Sequence, residues 1–111
     1  MSRNVYGVPE ASMIVPALIF ARGETGGKIL TSDLIEKMVD LFKPTGKDAQ
    51  ICKNRSDTYF SQKVRNLVSH KKSKSNLIGL GYAEHFKVPG KRKGGVEITA
   101  AGRLFLKSMG A

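Results

Sequence analysis

The chain has 111 residues, a hydrophobic content of 41% and a formal net charge of +10. That length predicts one domain with a core of its own. No apolar run approaches the roughly 18 residues that span a bilayer, so a membrane protein is excluded and a cytoplasmic one expected. Cys52 is alone, so no internal disulfide can form. The charge is unevenly spread. Residues 43–93 carry 13 Lys and Arg against Asp48, Asp57 and Glu84, whereas the rest of the chain is close to neutral. Cations confined to one stretch of a folded chain make a patch, and such a patch binds polyanions.

In chain order, residues 1–8 show no pattern and are expected to be a flexible arm; residues 9–111 form the single domain. Met13, Ile14, Ala17, Leu18 and Ala21 recur at helical spacing, which predicts a helix from about Pro9 to Arg22. Pro16 inside it marks a kink or a later start. Gly23–Gly27 is a turn, and Lys28–Leu30 is too short for more than a stub of strand. Thr31 is placed to cap a second helix with the apolar stripe Leu34, Ile35, Met38, Leu41 and Phe42, stopped by Pro44 and Gly46.

Residues 44–56 make a polar, basic connection longer than most in a compact domain, and such loops are usually functional. A third helix follows, from Ser56 or Asp57 to Lys71 or Lys72, with Phe60, Val64, Leu67 and Val68 facing the core. Leu77–Tyr82 passes through Gly79 and Gly81 into a strand at Ala83–Val88. Pro89–Gly95 is a basic turn, Val96–Thr99 the returning strand, and Ala100–Met109 a last helix. The expected fold is mainly α with a small β-hairpin, a winged helix-turn-helix.

With Phe60 at the centre of the buried face and about 100° per residue, Thr58, Gln62, Arg65, Asn66 and Ser69 fall on the opposite face, with Arg55 just ahead of the helix. These side chains suit base-edge reading, since Gln or Asn can bond adenine twice and Arg can bond guanine twice. The plainer alternative is an ordinary solvated helix face. Lys91, Arg92 and Lys93 in the hairpin turn can reach phosphates; an edge hairpin guarded by Lys explains one or two such cations, and three in a row less well. Lys71, Lys72 and Lys74 form a second cluster, partly explained by the helix dipole. Lys43, Lys47, Lys53 and Arg55 bracket the long connection and could clamp phosphates.

Catalysis finds little support in the residues. The chain has no Glu-x-Lys of the common divalent-metal nucleases. Gly26-Gly27-Lys28 lacks the first Gly and the spacing of a P-loop. His70 and His85 read as surface or packing residues, and with one Cys they make no zinc site of ordinary spacing. Tyr59, Phe60 and Tyr82 form no obvious aromatic cage. No cofactor, no metal and no enzymatic activity are expected.

Four segments, MIVPALIFARGETGGKILTSDLIEKM, FSQKVRNLVSH, LIGLGYAEHF and GGVEITAAGRLFL, resemble the N-terminal winged-helix domain of Mrr-type restriction endonucleases. The likeness covers about residues 12–107 and includes Pro16 in the first helix and the closing Ile98, Thr99, Gly102 and Arg103. The chain departs at Asn66-Leu67-Val68, where an aromatic-rich stretch is usual. The resemblance implies double-stranded DNA binding, with a separate nuclease domain or subunit that cuts, in some members only modified DNA. It also implies that the chain is either a module of such a nuclease or a stand-alone relative. The rival expectations are a transcriptional repressor that forms a homodimer through helices 1 and 4, an RNA- or ribosome-associated winged helix, and a protein-interaction module.

Overall fold

The computed structural model describes residues 10–44, 49, 58–69, 76–91 and 93–111. The expected arm, most of the 44–56 connection and the 71–74 lysine cluster lie outside them. The described chain is mainly helical with one small antiparallel sheet. A 3-10 turn at Glu10–Met13 leads into α1 (Ile14–Arg22), and a second at Thr25–Gly27 leads into β1 (Lys28–Leu30). Then come α2 (Thr31–Phe42), α3 (Tyr59–Leu67), β2 (Ala83–Lys87), β3 (Gly94–Ile98) and α4 (Ala100–Ser108).

Of the two outcomes expected at Pro16, the later start is observed. Pro16 is the third residue of α1, in the first turn, where backbone N–H groups have no intrahelical partner and a missing one removes no bond. Its buried face is Ala17, Leu18 and Ala21. Gly26 and Gly27, both at φ 72°, turn the chain from α1 into β1 in a left-handed conformation that side chains resist.

The strand stub is a full member of the sheet. The strand order is β1-β3-β2, with Ile29 opposite Val96 and His85 opposite Val96 on the other side. The sheet is thus three-stranded rather than a lone hairpin. β3 begins at Gly94, two residues before the expected Val96, and ends at Ile98. Thr99 is not strand: it caps α4, accepting from Gly102 N–H at 3.0 Å and donating to the Gly81 carbonyl at 2.7 Å.

α2 buries Leu34 and Met38, with Ile35 and Phe42 half-buried. Leu41 was expected on the apolar stripe but is 53% exposed, whereas Phe42 beside it packs against the core. Thr31 is not the cap: Leu30 occupies that position, with no side-chain cap bond, because the strand runs directly into the helix.

α3 is shorter than expected at both ends. Thr58 is its N-cap, with Oγ1 accepting from Ser61 N–H at 3.1 Å, so the helix opens at Tyr59. It closes at Leu67, where the chain returns: Leu77 N–H donates to the Leu67 carbonyl at 3.0 Å. Asn76 secures that return. Its buried amide donates to the carbonyls of Ser69 (3.3 Å) and Asn66 (3.5 Å) and accepts from Gly79 N–H (2.6 Å).

The core lies between α1, α2 and α3 and the inner face of the sheet. Phe60, Val64, Leu67 and Val68 are buried as expected, against Met13, Leu18, Leu34, Met38, Ile29, Val96 and Leu106. Phe60 meets Phe42 with ring centroids 6.0 Å apart, and Tyr82 stacks on Phe105 at 4.4 Å.

Candidate nucleic-acid interface

Strand geometry decides which side chains of the hairpin meet α3. Side chains alternate along a strand, so Ala83, His85 and Lys87 share the face that carries Val96 and Ile98 across the pairing. Ala83, Val96 and Ile98 are buried in the core. His85 and Lys87 continue the same face past the core's edge, where both are exposed.

There the sheet and α3 diverge and leave an open cleft of about 460 Å³. One wall is the outer flank of α3, with Gln62, Arg65, Asn66 and Ser69. The other is the hairpin stem, with His85, Lys87, Lys93 and Gly94. Thr31 and Ser32, from the first turn of α2, close one end. Within the α3 wall Gln62 Nε2 donates to Asn66 Oδ1 at 3.2 Å, one helical turn away, which orders both amides. No acidic side chain lines the cleft among the described residues.

Four of the six expected base-reading residues therefore share this cleft: Gln62, Arg65, Asn66 and Ser69. Thr58 does not belong with them, because its hydroxyl caps α3 and also donates to Ser61 Oγ at 3.1 Å. Arg55 lies outside the described residues. Of the expected phosphate contacts among the described residues, only Lys93 lines the cleft. Lys91 is exposed on the turn beyond it, and Lys43 closes α2 at φ 47°, its N–H on the Val39 carbonyl at 2.8 Å. Lys47, Lys53, Lys71, Lys72, Lys74 and Arg92 lie outside the described residues. His85, Lys87, Thr31 and Ser32 were not expected here. Lys87 was legible in principle, because alternation from the apolar Ala83 puts residues 85 and 87 on one side.

Comparison of the chain with protein-family models, with curated proteins and with solved structures finds no match. The site is therefore argued from its own chemistry. Two cations elsewhere lie over aromatic rings, Lys28 over Phe86 at 5.6 Å and Lys37 over Phe20 at 5.9 Å, which gives them a local structural role. Arg65, Lys87 and Lys93 line the cleft. No cluster of His, Cys, Asp and Glu suited to a metal occurs among the described residues, and no helix among them is long and apolar enough to cross a membrane.

Proposed function

We propose that the chain is a winged-helix module that binds double-stranded DNA in the cytoplasm, with α3 as the reading helix and the β2–β3 hairpin as the wing. In this reading it is the target-recognition part of a restriction or related defence system, akin to the N-terminal domain of Mrr-type endonucleases, and cuts nothing itself. One observation carries the reading: Gln62, Arg65 and Asn66 on α3 and Lys87 and Lys93 on the hairpin line one open cleft, with no acidic side chain in it among the described residues. Amide and guanidinium groups suit base edges, and the ammonium groups suit the backbone beside them.

The test is fluorescence anisotropy with unmodified, adenine-methylated and cytosine-methylated duplexes between 50 and 200 mM salt. Steeply salt-dependent binding to duplex DNA supports the reading, and a preference among the three duplexes adds modified-base sensing. Affinity that stays flat with salt, or a stronger hold on duplex RNA, refutes it. A second reading, a dimeric winged-helix repressor, draws on Leu104 and Met109 of the α4 region, 67% and 59% exposed. Sedimentation across a concentration series separates the two.

A further inference from the structure

We infer that Asn66 is a specificity-determining residue of α3 that reads guanine rather than adenine, because Gln62 holds its amide in one orientation. The inference rests on the DNA-binding reading and assigns one of its base contacts. Gln62 Nε2 donates to Asn66 Oδ1 at 3.2 Å. Both residues stand on the α3 wall of the cleft, Gln62 half-buried and Asn66 exposed. The more buried amide thus anchors the more exposed one. Since Oδ1 faces Gln62, the other end of the Asn66 amide, Nδ2 with its two N–H groups, is turned away from it.

The backbone beneath this side chain is held as well. The Asn66 carbonyl, at the end of α3, accepts from Ser69 N–H at 3.3 Å and from the Asn76 amide at 3.5 Å. Discrimination between bases needs such a fixed group, because a loose amide turns over and accepts either partner. An asparagine that bonds adenine twice uses its oxygen for N6–H and its nitrogen for N7. Here the oxygen already accepts from Gln62, and a second donor must compete for it. Guanine presents two acceptors at its major-groove edge, O6 and N7, and no donor. An amide that offers N–H groups suits that edge and leaves no N–H of the base without a partner.

The plainer explanation is that an amide pair one turn apart steadies an exposed helix face. That accounts for the bond. It would serve equally well anywhere on the surface of α3, and it does not account for the pair standing in the cleft with the exposed member held by the half-buried one.

The experiment binds a pool of duplexes with a randomised central segment to the parent, Asn66→Ala, Asn66→Asp and Gln62→Met. The retained fraction is sequenced, and a melting curve is taken for each protein. The parent should enrich guanine at one position, and folded Asn66→Ala should lose that enrichment. In duplexes of fixed sequence, changing this guanine to adenine should weaken the parent about 5-fold or more and leave Asn66→Ala nearly unaffected. Asn66→Asp keeps an oxygen for Gln62 but offers no donor, so guanine should give way to cytosine, whose N4–H donates. Gln62→Met lets the Asn66 amide turn, so adenine should rise beside guanine. A merely structural amide pair would instead lower the melting temperature and leave the base profile as it was. Adenine enriched by the parent at the position that Asn66→Ala alters, guanine that survives Asn66→Ala in folded protein, or a parental profile kept by Asn66→Asp or Gln62→Met overturns the inference and leaves DNA binding intact. So does a pool retained with no base preference. A parent that retains no duplex sinks both the inference and the DNA-binding reading.

Discussion

Asn76 controls the end of α3, and its replacement gives a graded prediction. The side chain is only 3% exposed. Asn76→Ala removes two hydrogen bonds of ordinary length, to the Ser69 carbonyl (3.3 Å) and from Gly79 N–H (2.6 Å), and a marginal one to the Asn66 carbonyl (3.5 Å). At about 1 kcal/mol net for each good bond, the loss is about 2 kcal/mol. That corresponds to roughly 10 °C in melting temperature for a domain near this size. Asn76→Asp should be worse at neutral pH. It keeps the acceptor for Gly79 but replaces the donor with an oxygen aimed at two carbonyl oxygens. The ionised form is then disfavoured in the folded state, so the new carboxyl has a folded pKa above its unfolded one. A group of this kind stabilises below its unfolded pKa and loses that contribution as pH rises through the folded one. The deficit of Asn76→Asp relative to the parent should therefore shrink as pH falls from 7 towards 4, while that of Asn76→Ala stays constant. Thermal unfolding of the three proteins at four or five pH values is sufficient. A pH-independent gap between Asn76→Asp and the parent would show that the amide is not acting as a donor to those carbonyls.

Gln62→Ala and Arg65→Ala should each flatten the difference between best and random duplexes by about 1–3 kcal/mol without lowering the melting temperature appreciably, as read by anisotropy beside calorimetry. Phe60→Ala should instead unfold the chain by about 3–5 kcal/mol, losing binding to every sequence together with its thermal transition. Gly102→Ala should destabilise strongly, because the added methyl would overlap the Tyr82 carbonyl oxygen beneath α4; a melting curve equal to the parent's would refute that packing. Incubated with duplex DNA and magnesium or manganese, the pure chain should leave the DNA uncut on a gel.

Local rules carried much of the fold. The spacing of Phe60, Val64 and Leu67 leaves one buried direction on α3, and the structure buries all three. Thr99 caps α4, although the apolar alternation through Ile98 points to strand there. Two of the differences are decided by residues distant in sequence. Lys28–Leu30 is a strand only because β3 lies beside it, with Ile29 opposite Val96. α3 stops at Leu67 because Leu77 and Asn76 take up the carbonyls near its end, although helical pattern alone would carry it on. Thr58 is a local case: its angle on the helix points to the reading face, but its position at the helix start makes it a cap.

The cleft follows the same logic, and the turn Gly90-Lys91-Arg92-Lys93-Gly94-Gly95 shows how. As a string it is one flexible basic tip with glycines on both sides. In the sheet Gly94 and Gly95 are the first two residues of β3 and serve as close-packing positions, not as hinges. A Cβ on Gly95 would overlap the Ile29 carbonyl oxygen, so this glycine lets β1 lie against β3. A Cβ on Gly94, one residue earlier and on the opposite face, would press on the Phe86 carbonyl oxygen, so this glycine lets β2 lie against β3. Two adjacent glycines thus serve the two neighbouring strands, Gly94 the close approach of β2 and Gly95 that of β1. Lys93 thus stands just ahead of β3, at the foot of the hairpin beside the Lys87–Gly94 pair, and lines the cleft with Lys87 and Arg65. Charge density alone marks residues 43–93 as the binding region. Strand register selects which of the described cations in it face the same space, and composition carries no information about register.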